Sequence, residues 1–224
     1  MQAPSGFTCL GNVAVDSWST LPDKNKYCCV QDTYLTQAKS SWIYKDKGTG
    51  AHKNVCLWTI MRSGSDAYGL VSGLFVALET HDTSPNPGVM ILKASESVKD
   101  LWSLQRHNTH NPLNVYEVPK ITMKQIWNDE GSGAKVDVSI WRSTAMDGYY
   151  CVGDMVVASH FEPRIGFLVR PAKGSMNAVM PSVGYTKIWT DKGSGAKSDV
   201  ALWSVSCPPA AIFYRQTFQI ENPI

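Results

Sequence analysis

Three aspartates recur in one setting. Asp46, Asp129 and Asp191 each stand two places before a Gly-[Ser/Thr]-Gly-Ala run, and Asn54, Asp137 and Asp199 follow them eight residues later. An ionised carboxylate accepts two hydrogen bonds from sugar hydroxyls, and glycine lets backbone N–H groups approach the same ligand. One reading is therefore a set of ligand sites made of Asp46, Gly48, Gly50 and Asn54, of Asp129, Gly131, Gly133 and Asp137, and of Asp191, Gly193, Gly195 and Asp199. The other is that each aspartate caps its own turn, as Asp and Asn commonly do. A loop can do both.

The same runs superficially resemble calcium loops, but calcium takes about 6–8 oxygen ligands and each run offers two carboxylates plus carbonyls. Zinc fits no better, because His52, His81, His107, His110 and His160 show no paired spacing with cysteine. No metal and no cofactor is expected. Lys45, Lys47, Lys53, Lys135, Lys192 and Lys197 gather around the runs and suit anionic groups such as lipid headgroups or sulfated glycans. Trp58, Trp141 and Trp203 occupy matching places, as do Tyr44, Trp127 and Trp189; aromatic residues so repeated in strands are read as packing. There is no nucleophile turn, no phosphate loop and no His or Cys beside a repeated acid, so no enzyme is expected.

These residues must be positioned by a repeat. Ile43–Trp58, Ile126–Trp141 and Ile188–Trp203 align without a gap, and each reads as strand, glycine turn, strand. A weaker motif precedes each hairpin at Gly6–Val13, Ala67–Gly73 and Gly148–Val156, and a further β-rich run lies between at Tyr27–Val30, Val89–Leu92 and Ile165–Val169. The reading is one all-β domain, residues 1–224, of three four-strand units at about 6–62, 67–143 and 148–205. Three equivalent four-stranded antiparallel sheets around a pseudo-threefold axis make a β-prism, with the hairpins about a third of a turn apart. The wider spacing from Tyr44 to Trp127 than from Trp127 to Trp189 places an insertion within 81–119, where Ala94–Trp102 reads as a short helix or a loop. A tail at 208–224, with an extended run Ile212–Tyr214, closes the sheet or meets a partner.

With 43% hydrophobic and 18% charged residues the chain has material for a core, and its net charge of +2 offers no broad footprint for nucleic acid. Met1–Ser5 has neither a basic start nor an apolar stretch, which predicts a cytoplasmic protein, or a secreted one if a signal segment has been removed. Six cysteines are too sparse for a disulfide scaffold, so mostly reduced thiols are expected. Cys9 and Cys151 hold the same position in different units and are expected apart, on separate sheets.

The motifs, of the form G-[FY]-x-x-L-G-x-V followed by I-W-x-D-x-G-S-G-A-x-x-D-V-x-x-W, resemble the repeats of the vacuolar protein sorting-associated protein sixty-two family, which implies a β-prism. Gly133–Asp137 and Gly195–Asp199 are also similar to the G-x-x-x-D sugar loops of jacalin-related lectins, where Gly50–Asn54 departs by its Asn. That likeness implies a multivalent carbohydrate-binding, lectin-like protein with hexoses of the mannose type as ligands. A peripheral membrane or trafficking module binding acidic lipid headgroups is the alternative, as is the targeting domain of a defence or toxin protein. Self-association through the tail is a further expectation.

Overall fold

The computed structural model describes residues 6–61, 71–85, 88–92, 101–105, 122–144, 148–163, 167–171 and 178–209. Among them the chain is all-β, with a 3-10 turn at Asp32–Tyr34. The first unit holds β1 (Phe7–Thr8), β2 (Val13–Val15), β3 (Cys28–Gln31), β4 (Leu35–Gln37), β5 (Lys39–Lys45) and β6 (Cys56–Met61). The second holds β7 (Val71–Leu78), β8 (Met90–Leu92), β9 (Leu101–Gln105), β10 (Met123–Asn128) and β11 (Ser139–Ser143). The third holds β12 (Met155–Val157), β13 (Phe167–Pro171), β14 (Val179–Pro181), β15 (Gly184–Thr190) and β16 (Ala201–Ser206).

The predicted hairpins are β5–β6, β10–β11 and β15–β16, and each carries a register shift at the same place, between Trp42 and Tyr44, Gln125 and Trp127, and Lys187 and Trp189. The skipped residue is Ile43, Ile126 or Ile188. A bulge there adds local twist and re-aims the following side chain. The aromatic ring after it, Tyr44, Trp127 or Trp189, ends up buried.

The sheets differ from the expectation of one unit, one four-stranded sheet. Each hairpin takes its third strand from the next unit: β6 pairs with β7, β11 with β12, and β16 with β2. The last pairing returns to the start of the chain, with Leu202 opposite Ala14. A strand that the sequence reading lacked then links neighbours a second time: β4 pairs with β8, β9 with β13 and β14 with β3. The pattern repeats three times and closes on itself. The physical reason is edge protection, since every hairpin edge turned to the ring is covered by a neighbour. β8 and β9 fall inside the stretch expected to be an insertion, so the excess length of the second unit lies between Gln105 and Met123. The helix-or-loop expectation for Ala94–Trp102 lies mostly outside the described residues, and its last two residues begin β9. The tail from 210 onward also lies outside them.

The cysteines are mostly reduced, as expected, with one exception that closure creates. Cys29 on β3 is disulfide-bonded to Cys207, just after β16, across 178 residues, while Cys9, Cys28, Cys56 and Cys151 are free thiols. Sequence distance hid a contact that the ring creates. Cys9 and Cys151 are not held apart either. The Cys9 thiol donates to the carbonyl oxygen of Val152 at 3.3 Å.

Under the hairpin tips lies a core built almost wholly of matching residues: Tyr44, Trp127 and Trp189; Val55, Val138 and Val200; Leu57, Ile140 and Leu202; Ala14, Ala77 and Val156. Tyr44 meets Trp127 edge-on with ring centroids 6.5 Å apart, and Trp127 meets Trp189 in the same way at 6.3 Å. A second apolar cluster around Leu10, Ile60, Leu74, Val152 and Val169 fills the space between the linking strands.

Candidate functional site

Each tip is built by the same bonds. The backbone N–H of Val55, Val138 or Val200 donates to Oδ1 of Asp46, Asp129 or Asp191, at 2.9 Å in all three. Thr49, Ser132 and Ser194 donate their N–H groups back to the carbonyls of those aspartates, and their hydroxyls accept from Ala51, Ala134 and Ala196. Gly48, Gly131 and Gly193 have φ of +92°, +89° and +89°, and the second glycine of each tip is also left-handed, a conformation open to glycine at little cost. The D-x-G-[ST]-G-A pattern is therefore a turn specification.

Each aspartate has a further partner at a matching position, which the sequence alone does not show. His81 Nε2 lies 2.6 Å from Asp46 Oδ1, and His160 Nε2 lies 2.7 Å from Asp129 Oδ1. In the third tip Trp18 Nε1 donates to Asp191 Oδ1 at 2.7 Å. Trp18, His81 and His160 all stand four residues after matching positions Ala14, Ala77 and Val156, so they are equivalents. The mismatch of Trp with His concealed the repeat; the only available signal was a constant offset from the first strand.

Asp46, Asp129 and Asp191 are buried, at 4%, 5% and 3% exposure, whereas Asn54, Asp137 and Asp199 and all six tip glycines are exposed. Burial pushes the Asp191 carboxyl up from its ordinary value, against the pull of its bonds from Val200, Trp18 and Trp127. Burial likewise raises the Tyr44 phenol, helped by the charges of Asp129 and Asp46.

The three tips touch. His52 donates its N–H to the Lys192 carbonyl, and Lys197 donates to that of Glu130. Trp189 Nε1 reaches the Lys53 carbonyl at 2.7 Å and Trp127 Nε1 that of Ser198 at 2.9 Å. A Cβ on Gly50 would lie 3.1 Å from the Gly193 oxygen, and one on Gly131 would lie 3.0 Å from the Gly195 oxygen. The third tip is thus joined to both others. Between the first and second, Tyr44 replaces tryptophan and bonds the Ser132 side chain, and no backbone hydrogen bond spans them among the described residues. Gly48 and Gly133 face open space.

The lysines around the tips are partly engaged. Lys53 pairs with Glu79 at 3.1 Å, Lys197 pairs with Glu130, and Lys192 lies 5.5 Å over the Trp18 ring. Phe161, next to His160, is 82% exposed, an aromatic face beside the second tip that the sequence reading did not single out.

No protein-family model matches the chain, and no curated protein matches it. Among solved structures, the chain is similar to the crystal structure of GNIP1Aa from Chromobacterium piscinae, with a TM-score of 0.51 and 19% identity, over 80% of this chain and 33% of that one. The chain therefore spans about a third of that neighbour's length. At such identity the likeness concerns the fold alone, and it agrees with the all-β, β-prism-like architecture that the strand pairings display.

Proposed function

We propose that this is a carbohydrate-binding, lectin-like module rather than an enzyme, and that the exposed half of each tip does the binding. The observation that carries the reading is the meeting of three left-handed glycine turns, each presenting Asn54, Asp137 or Asp199 to solvent, while Asp46, Asp129 and Asp191 hold the turns from beneath. Free backbone N–H groups beside a carboxylate offer a sugar both donors and acceptors. Phe161 adds a ring on which a sugar face stacks at the second tip. Three weak sites in contact favour branched or repeated glycans, for which linked binding raises avidity by about 10²–10⁴. Hexoses of the mannose type and the family likeness to sixty-two-type repeats belong to this reading.

The acidic-lipid alternative draws on the tip lysines, but the pairing of Lys53 and Lys197 with glutamates removes much of their free charge. A glycan array probed with the parent, Asp137→Ala, Asp199→Ala and Asn54→Ala separates the two. Each aspartate variant should lose about tenfold or more, from charge-assisted bonds worth roughly 1.5–3 kcal/mol, and the asparagine variant should lose less. A double aspartate variant that keeps full glycan affinity ends the reading. Binding to anionic vesicles that fades with salt and follows Lys135 would replace it.

A further inference from the structure

The second tip differs from the other two in one respect that bears on ligands. Side-chain atoms of Asp129, Asp137 and His160 all lie within 4.8 Å of one another. The equivalent set in the first tip is Asp46, Asn54 and His81, and in the third Asp191, Asp199 and Trp18. Only the second tip combines two carboxylates with an imidazole.

The third tip shows what the fold itself requires at this place. There the indole of Trp18 donates one hydrogen bond to Asp191, and an indole nitrogen is a donor with no lone pair to offer. The structural task is complete without a histidine. His160 performs that task and adds a nitrogen able to ligate. Its side chain is 31% exposed, against 16% for His81, so solvent and ions reach it. Nε2 of His160 and Oδ1 of Asp129 stand 2.7 Å apart. Two donors on one zinc ion with bonds of about 2.1 Å stand roughly 3.4 Å apart in a tetrahedral set, so a side-chain shift of about 0.7 Å separates the hydrogen bond from a shared metal. Asp137, exposed at the same tip, supplies a third donor atom, and the tip around it is open at Gly133, where a Cβ would meet nothing.

We propose that Asp129, Asp137 and His160 bind a divalent transition ion, zinc foremost, in place of the proton between His160 and Asp129. One imidazole nitrogen with two carboxylate oxygens is a donor set that suits zinc, with manganese and cobalt as weaker candidates. The site does not depend on the glycan reading.

The test is calorimetric titration of the full untagged chain with zinc chloride, with the absorption spectrum of added cobalt as a second readout. The parent should take up a single ion. Asp137→Ala and His160→Trp should abolish uptake at concentrations that saturate the parent. His160→Trp copies the third tip, so it keeps the bond to Asp129, and an unchanged melting temperature in metal-free buffer separates lost ligation from lost folding. Asp199→Ala, which bears on glycan binding alone, should leave ion uptake intact, so the two claims fail separately. Asn54→Asp reproduces the set in the first tip and should bring uptake to two ions. A parent that binds no ion, uptake that survives both Asp137→Ala and His160→Trp, or an Asn54→Asp chain that still takes one ion would each overturn the assignment.

Discussion

Arg142 holds Asp154 by two bonds in the interior: Nε to Oδ1 at 2.9 Å and Nη2 to Oδ2 at 2.8 Å. Asp154 is fully buried and also accepts from the Ala14 N–H at 2.7 Å and the Tyr27 hydroxyl at 3.0 Å. Burial alone would push the guanidinium down, but the carboxylate beside it outweighs burial and holds it above its ordinary value. The pair also joins units, since Asp154 belongs to the third and Ala14 to the first. Removing one partner leaves a buried charge unmatched, which typically costs about 3–5 kcal/mol. Asp154→Ala should therefore lower stability to urea by that amount. A loss below about 1 kcal/mol would show that solvent reaches Arg142.

The tip glycines should differ by what surrounds them. Gly48 and Gly193 have nearly the same φ, so alanine at either meets left-handed strain of roughly 1–2 kcal/mol. A Cβ on Gly48 meets nothing, but one on Gly193 would lie 2.9 Å from the Gly50 oxygen and 2.8 Å from the His52 ring. Gly193→Ala should cost at least about 1 kcal/mol more than Gly48→Ala by thermal unfolding. Equal costs would mean that the first and third tips do not touch in solution.

The thiols provide a count. Denatured without reductant, the protein should show four reactive thiols, and after reduction six. In the native state Cys9 and Cys151 should resist alkylation near pH 8, because burial pushes both up to about 12 and the thiolate is the nucleophile. Cys207→Ser should cost about 2–4 kcal/mol, the usual range for a native bridge. A peptide map lacking the Cys29–Cys207 pair would refute the closure.

Asp191 makes a prediction about pH. Its folded value is raised above the ordinary aspartate value of about 4, so the folded chain holds its proton longer than the unfolded one. The contribution is then full below pH ~4 and is lost as pH rises through the raised value. Relative to Asp191→Asn, which does not titrate, the parent should lose stability over that window. A stability difference that is flat from pH 3 to 7 would contradict the shift.

Much of this molecule was legible in its sequence, and the boundary has physical causes. The hairpins were visible because a left-handed turn demands glycine and a capped turn demands Asp and Ser or Thr, so local chemistry repeats as letters. The sheets were not, because β16 finds β2 through space, and no spacing rule states which edge a hairpin covers. β4, β9 and β14 are as short as β3, β8 and β13 but, unlike them, hold no run of three apolar residues within their span, so the letters do not mark them as strands. The buried role of Asp46, Asp129 and Asp191 was one of two readings, and the exposed role of Asn54, Asp137 and Asp199 could not be told apart from it without burial. His81 and His160 have no cysteine at ligand spacing; their partners are the tip aspartates, which only the fold brings beside them.

The pairing of Leu202 with Ala14 has a consequence for stoichiometry. A polypeptide carrying one unit alone would have a hairpin awaiting a neighbour's strand and a strand awaiting a neighbour's hairpin. Two copies leave one of each unmet, and three copies meet them all. A single-unit chain should therefore assemble as a homotrimer, in which the interfaces between subunits are the sheets of the present molecule. By the same logic the ring of pairings has no privileged starting unit.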